Sequence, residues 1–495
     1  MNKAKNKPAL NRLILAGGAL TAASVFLVFS AGLYRTGFPL DDAWIHQTYA
    51  RNLAVLGQWA FIPGEPSAGS TAPLWSVLLA LGYWLNAPPL VWAYFLGACC
   101  LASLGIVGEK FFLTQTDLVE KQRPVPWFGL FLVFEWHVVW AAVSGMETIL
   151  HAFGVVLILY LISSARKNWL WIGLMIGVIV WVRPDGLTLL GPAGFVIVLE
   201  AKNWRERLQK IGHLVCGFLI AFIPYLLFNF MLSGSLWPNT FYAKQAEYAI
   251  LYQFPLFKRL IDLYSLPVVG AGAMLLPGVL YGLWWAGRQQ RWSYFGAFLW
   301  WAGYTGLYAL RLPVTYHHGR YLIPAMPVYF LLGAIGMKQL FCQIKQEKGA
   351  GFIFRRAWWV ATVIVWAAFF VLGARAYAED VAIIETEMVE SAKWIAENTP
   401  PDALIAAHDI GAMGYYGNRD LVDLAGLISP EVIPFIRDEA RLADYIDEQG
   451  VDYLIVFPGW YDDLHERSEV IYRTKGTFSP AAGGENMTVY RWGKQ

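Results

Sequence analysis

Residues 37–46 read Gly-Phe-Pro-Leu-Asp-Asp-Ala-Trp-Ile-His and place two adjacent carboxylates, Asp41 and Asp42, directly after the first long apolar run. Charge held at the mouth of an apolar segment is costly and usually has a purpose. Asp42 and His46 are four residues apart, so a helix starting here puts them on one face. Asp41 then stands at its N-cap. The plain alternative is a pair of solvated caps on an interfacial helix. Further candidates follow along the chain: Arg51, Glu147 at a helix start, and Arg183 with Asp185 in an Arg-Pro-Asp-Gly turn. Next come Asn239, Tyr242 and Lys244 in Trp237-Pro-Asn-Thr-Phe-Tyr-Ala-Lys244, then His317, His318, Arg320 and Tyr321 before another apolar run. His408 and Asp409 stand at the end of a predicted strand. Carboxylates can take a proton from a hydroxyl, and Lys or Arg can stabilise a departing phosphate. Two neighbouring histidines alone are a weak metal signal.

The elements that must position these residues are apolar helices. The chain is 57% hydrophobic and 15% charged, with a mean hydropathy of +0.43, the composition of a polytopic membrane protein. Residues 377–495 hold 22 of the 36 acidic residues and no run long enough to cross a bilayer. The chain therefore divides into a membrane domain, 1–376, and a soluble α/β tail, 377–495. Lys3, Lys5, Lys7 and Arg12 precede the apolar run 13–34, which is too long for a signal-peptide core and reads as a first span with a cytoplasmic N-terminus. Ten further spans are predicted at 89–108, 125–142, 148–164, 169–182, 186–200, 212–232, 264–286, 293–310, 322–338 and 357–376, about eleven in all. The run 73–86 is too short to cross and reads as an interfacial helix. Glu135 is a charge inside a predicted span and has no role in this reading.

Alternating the spans puts 20 Lys/Arg in cytoplasmic loops and 8 in external ones, as the positive-inside rule requires. The loop carrying Asp41 and Asp42 (35–88) and the tail then share the external side, in the cell membrane. In the tail, a helix is predicted at 383–397 and another near 440–449, with strands at 403–407, 420–424, 453–457 and 487–492. Gly411–Gly417 lacks the Rossmann order, so no nucleotide cofactor is expected. The four cysteines form no disulfide framework or zinc spacing, and nothing points to nucleic acid.

External carboxylates with cations alongside suggest a membrane transferase working on a lipid-phosphate donor. Several stretches resemble the GT-C glycosyltransferases, within them the polyprenyl-phosphate-dependent terminal β-1,2 arabinofuranosyltransferases and the family 39-like enzymes. They are Asp41-Asp42-Ala43, Tyr49-Ala-Arg-Asn-Leu53, Pro63-Gly-Glu65, Thr71–Trp75, Arg183-Pro-Asp-Gly186, Pro238–Lys244, Gly319–Pro324 and Asp423-Leu-Ala-Gly-Leu427. The resemblance spans nearly the whole chain in short motifs, and departs at Trp44-Ile45-His46. It implies a sugar moved from a polyprenyl phosphate to a glycan, lipid or protein acceptor, with inversion. It implies Asp41 or Asp42 as the base, Asp41 favoured, with Asp42 orienting the acceptor or binding a divalent metal (Mg, Mn or Ca). Lys244 and Arg320 would hold the donor phosphate, with Glu147 or His46 completing the site. Competing readings are a transporter or flippase, which would want charges inside the spans or two related halves, and a non-catalytic envelope-assembly protein.

Overall fold

The computed structural model describes residues 7–118, 125–343 and 349–493. Lys3, Lys5 and residues 344–348 of a predicted cytoplasmic loop lie outside the described residues. The fold is mostly helical, with a mixed sheet near the C-terminus. Helix α1 (Lys7–Leu33) carries Lys7 and Arg12 in its first turns and is free of charge from Leu13 on. Helix α2 (Asp42–Leu56) ends on Gly57 at φ +69°, a left-handed stop that glycine adopts without steric cost. A short hairpin of β1 (Ala60–Ile62) and β2 (Glu65–Pro66) leads to α3 (Pro73–Trp84), whose first turn starts on proline. Helix α3 packs against α2, and α2 buries Ala43 through Ala50.

Among the described residues, five helices are long and apolar enough to cross a membrane: Pro8–Leu33, Pro89–Gln115, Trp204–Ser233, Tyr316–Gln343 and Ala350–Asn398. A sixth is added if Leu256–Val268 and Gly270–Arg288, which meet at a 96° bend, count as one span. Five or six of the eleven predicted spans are thus single long apolar helices or one bent pair, and the others are shorter or broken helices. Predicted span 125–142 is two helices, Trp127–Val133 and Trp136–Val143. Glu135 makes the break: its carboxylate accepts the Val138 N–H (3.1 Å) and meets His137 Nδ1 (2.9 Å). Thr148–Ser163 and Trp169–Val180 are short apolar helices, and 186–200 opens on a 3-10 turn from Pro184.

Trp169–Val180 packs on Trp204–Ser233 along their backbones. A Cβ on Gly173 would lie 2.0 Å from the Leu214 carbonyl oxygen, and one on Gly217 would lie 2.0 Å from that of Leu170. Glycine on both helices permits this approach.

The C-terminal sheet runs in the order β4-β3-β5-β7-β6. Its strands are β3 (Leu404–Ala407), β4 (Asp420–Asp423), β5 (Tyr453–Val456), β6 (Ser468–Arg473) and β7 (Thr488–Trp492). Strands β4, β3 and β5 are parallel, with Ile405 opposite both Leu421 and Tyr453. Strand β7 is antiparallel to β5 and β6, with Ile455 opposite Val489. The parallel strands are joined through Gly411–Tyr416 and Glu439–Gln449, the helical crossovers that parallel pairing requires. Helix Ala350–Ile384 passes residue 376 unbroken, then continues through a π-helical turn, Glu385–Val389, into Glu390–Asn398. Inside that turn, buried Glu387 accepts the Met487 N–H (2.9 Å) and bonds with Asn486 and Thr474.

Candidate active site

Asp41 and Asp42 are adjacent in sequence and opposite in environment. Asp41 is 6% exposed and makes no cap for its own helix. Its carboxylate instead accepts the N–H groups of Gly411 (2.6 Å) and Ala412 (2.7 Å), at the start of the first tail crossover. That contact needs glycine, since a Cβ at 411 would lie 2.0 Å from the Asp41 carbonyl oxygen. Burial pushes the Asp41 carboxyl up to about 6, against the Ala412 N–H, which favours the charge, and with the Asp42 charge, which opposes it. Asp42 keeps a side chain 27% exposed and pairs with Arg320 Nη2 at 2.7 Å. Burial raises its carboxyl, but the Arg320 and Lys244 charges outweigh this and hold it well below the usual carboxylate range.

Two cavities meet at this point. One, of about 910 Å³, lies between the helices and the sheet and is lined by Asp41, Asp42, Lys244, Glu247, Arg320, His317, His408 and Asp409 among others. The second, of about 550 Å³, enters the helical part and is lined by Asp42, His46, Glu147, Arg183, Asp185 and Tyr321, with Trp237 and Phe241 on an apolar wall. Asp42, Lys244 and Arg320 line both. Cavities of this size hold ligands of small-molecule dimensions.

Arg320 owes its place to a strained turn. His317 and His318 both sit in the left-handed region (φ 51° and 58°), which costs a non-glycine residue about 1–3 kcal/mol each. His318 holds the turn, with Nε2 2.9 Å from Asp380 Oδ2 and its ring against Trp136 and Trp140. His317 points into the larger cavity instead. The two imidazoles therefore do not act as a pair, which removes the metal reading of His317-His318. Lys244 bonds Glu247 (3.1 Å), and Glu247 lies 3.5 Å from His408 Nε2, whose Nδ1 meets the Tyr461 hydroxyl at 2.9 Å. Burial lowers the Lys244 ammonium, but the surrounding groups together, Glu247 first and Asp42 among them, outweigh it and hold it well above its ordinary value. Burial, with the Asp41 and Asp42 charges, pushes Asp409 far up, and its Oδ2 is buried without a hydrogen-bond partner.

The second cavity carries a continuous polar network. His46 Nε2 lies 3.4 Å from Glu147, Glu147 pairs with Arg183 (2.9 Å), and Arg183 meets Asp185 (3.3 Å). The hydroxyls of Tyr304 (2.7 Å) and Tyr308 (2.5 Å) donate to Asp185. Glu147 is thus a partner of Arg183 and makes no side-chain cap for its own helix.

Four sequence candidates fall outside both cavities. Arg51 donates to the carbonyls of Tyr415 (2.8 Å) and Gly414 (3.1 Å), and Asn239 donates to that of Leu427 (3.3 Å). Both tie the helices to the tail. Tyr242 is 40% exposed, and His318 serves the strained turn. Sequence reasoning missed Glu247, Tyr304, Tyr308, Trp460 and Tyr461. Glu247 had a readable signal, three residues after Lys244 on one helix face. Tyr304 and Tyr308 looked like ordinary bilayer-interface aromatics.

Among the described residues, no group of three or more His, Cys, Asp or Glu is placed to hold a metal ion. Each Asp41 oxygen accepts a backbone N–H, and a guanidinium occupies the cation position beside Asp42. The expected divalent ion at Asp42 does not fit this donor set.

The chain superposes on ArnT from Cupriavidus metallidurans bound to undecaprenyl phosphate with a TM-score of 0.58 at 14% identity, over 98% of this chain and 99% of that one. The fold is the GT-C glycosyltransferase fold. The Archaeoglobus fulgidus oligosaccharyltransferase in complex with Zn and sulfate matches at a TM-score of 0.57 and 12% identity, over 94% of this chain and 72% of that one. At such identities the likeness is one of fold. A family model described as a domain of unknown function, DUF8728, matches residues 376–490. No curated protein matches the chain.

Proposed function

We propose that the chain is an integral membrane glycosyltransferase that moves a sugar from a polyprenyl phosphate to an envelope acceptor, with inversion, at the external face that also bears the tail (377–495). One observation carries the reading: a carboxylate and two cations, Asp42, Lys244 and Arg320, stand where two cavities join. The GT-C fold, shared with an enzyme bound to undecaprenyl phosphate, supports a lipid-phosphate donor. In this reading the donor occupies the smaller cavity, its isoprenoid chain along Trp237 and Phe241 and its phosphate on Lys244 and Arg320. Once phosphate takes up those cations, the Asp42 carboxylate is released from its ion pair and its basicity rises.

Asp42, which faces both cavities, then takes the proton of the acceptor hydroxyl. The hydroxyl oxygen bonds to the anomeric carbon as the bond to phosphate breaks, and the polyprenyl phosphate leaves with the electron pair. This assigns the base to Asp42 and leaves Asp41 to dock the tail, the reverse of the assignment favoured from sequence. Lys244 and Arg320 supply the positive charge that the leaving phosphate needs.

The test is transfer from radiolabelled polyprenyl-phosphate sugars by membranes containing wild type, Asp42→Asn or Asp41→Asn, with and without EDTA. Transfer by the wild type and its loss in Asp42→Asn at normal abundance supports the reading. Full activity in both variants overturns the mechanism. Activity kept in EDTA leaves the phosphate to the two cations, whereas activity lost and restored by Mg²⁺ or Mn²⁺ places an ion beside Asp42.

A further inference from the structure

Trp460 is an exposed aromatic side chain on a loop that cannot move freely. Its side chain is 47% exposed and lines the larger cavity, the one that also holds Asp41 and Asp42. Every flank of the loop is tied. The Gly459 N–H donates to Glu485 (2.5 Å), and the N–H groups of Asp462, Asp463 and Leu464 all donate to the Glu439 carboxylate at 2.8–2.9 Å. The Tyr461 hydroxyl meets His408 (2.9 Å). The indole lies tilted beside Phe457 (5.2 Å between centroids) and near right angles to His408 (4.7 Å), and nearly half of the residue stays exposed. Nothing in the glycosyl-transfer geometry above uses this residue.

A rigid, solvated aromatic face is a poor stability device, because its apolar area gains nothing from folding. It is a good recognition device, because the entropy of ordering it is already spent before a ligand arrives. The ligand that suits it has a flat apolar face and a polar rim. A sugar ring meets that description: its axial C–H bonds stack on the indole while its hydroxyls point outward. Carboxyl groups that can meet hydroxyls stand close by in the same cavity, in Glu247 and Asp409. From His408 the chain of contacts runs through Glu247 to Lys244, so a ring seated on Trp460 lies on the same polar track as the reacting groups.

We infer that Trp460 is the stacking platform of an acceptor subsite, and hence that the acceptor is a carbohydrate. The inference rests on the glycosyltransferase reading and narrows its acceptor to a glycan or glycolipid sugar. The probes are methyl glycosides of pyranoses and furanoses, added to the full chain in detergent and followed by saturation-transfer NMR. Wild type is compared with Trp460→Leu, which keeps apolar bulk, and Trp460→Phe, which keeps a flat face. At least one glycoside should bind wild type and the Phe variant, with affinity about tenfold weaker in the Leu variant. The subsite is overturned if no glycoside binds wild type, if the Leu variant binds equally well, or if Phe and Leu variants of unchanged melting temperature lose binding together. Failure of sugar transfer in the labelled-donor assay bears on the glycosyltransferase reading alone, since glycoside binding is read without turnover.

Discussion

Asn at position 42 keeps the shape of the side chain and removes the charge that faces Arg320 and Lys244, so its effect falls on chemistry. General-base catalysis is worth about 10²–10⁴-fold, and Asp42→Asn should lose transfer by that factor in initial-rate assays. Asp41→Asn leaves a base in place and weakens two hydrogen bonds to the tail, so it should retain measurable turnover at lower thermal stability. A variant pair with the opposite ranking assigns the base to Asp41. Asp41 also makes a pH prediction. Its carboxyl is raised to about 6 in the folded chain from 3.8, so the folded state binds its proton more tightly than the unfolded state does. The contribution is fully present below about pH 3.8 and is lost as pH rises through 6, on the order of a few kcal/mol in all. The melting temperature of wild type relative to Asp41→Asn should therefore fall between pH 4 and 6.5 and level off above. A difference that stays flat or rises across that range contradicts the buried, proton-holding Asp41.

At the scale of elements, the glycine-packed pair Trp169–Val180 and Trp204–Ser233 offers the clearest test. Gly217→Leu must push Trp204–Ser233 away from the Leu170 carbonyl, an overpacking that costs typically 1–3 kcal/mol. Melting in detergent should drop by several degrees, whereas Gly212→Leu, on the same helix with open space around it, should not. The sequence was legible where an element has its own signal. Strands β3, β4, β5 and β7 lie within two residues of where alternation and flanking turns put them. Strand β6 was missed because its burial pattern is mixed, with Glu469 and Val470 both exposed. The continuity of the spans was less legible, because Glu135 breaks a run that hydropathy joins and because bent and short helices are as apolar as long straight ones. At the site, Asp42, Lys244 and Arg320 could be singled out by residue type and loop position. The Asp41 bond to Gly411 could not: 370 residues separate the partners, and only the folded tail brings them together.

At the scale of the whole molecule, the helices and the tail wall one cavity between them. Arg51, Asn239 and Asp41 all reach tail backbone, and the larger cavity takes its walls from both parts. Proposed topology puts that site outside the cell. Asp402→Cys, in an exposed tail turn, combined with replacement of the four native cysteines by Ala, should then react with a membrane-impermeant maleimide on intact cells or spheroplasts. Labelling only after lysis would invert the topology. The π-helical turn at Glu385–Val389 adds a constraint of another kind. Each residue of a helix turns the chain by about 100°, and Glu387 in this turn is the buried key to residues 474–487. Inserting or deleting a single residue in the helix just before Glu387 would swing Glu387 off its lock and aim Trp460 and Gly411 at a different side of the bundle. The segment works as a phase-setting shaft, in which substitutions are absorbed but a change of length by one is not.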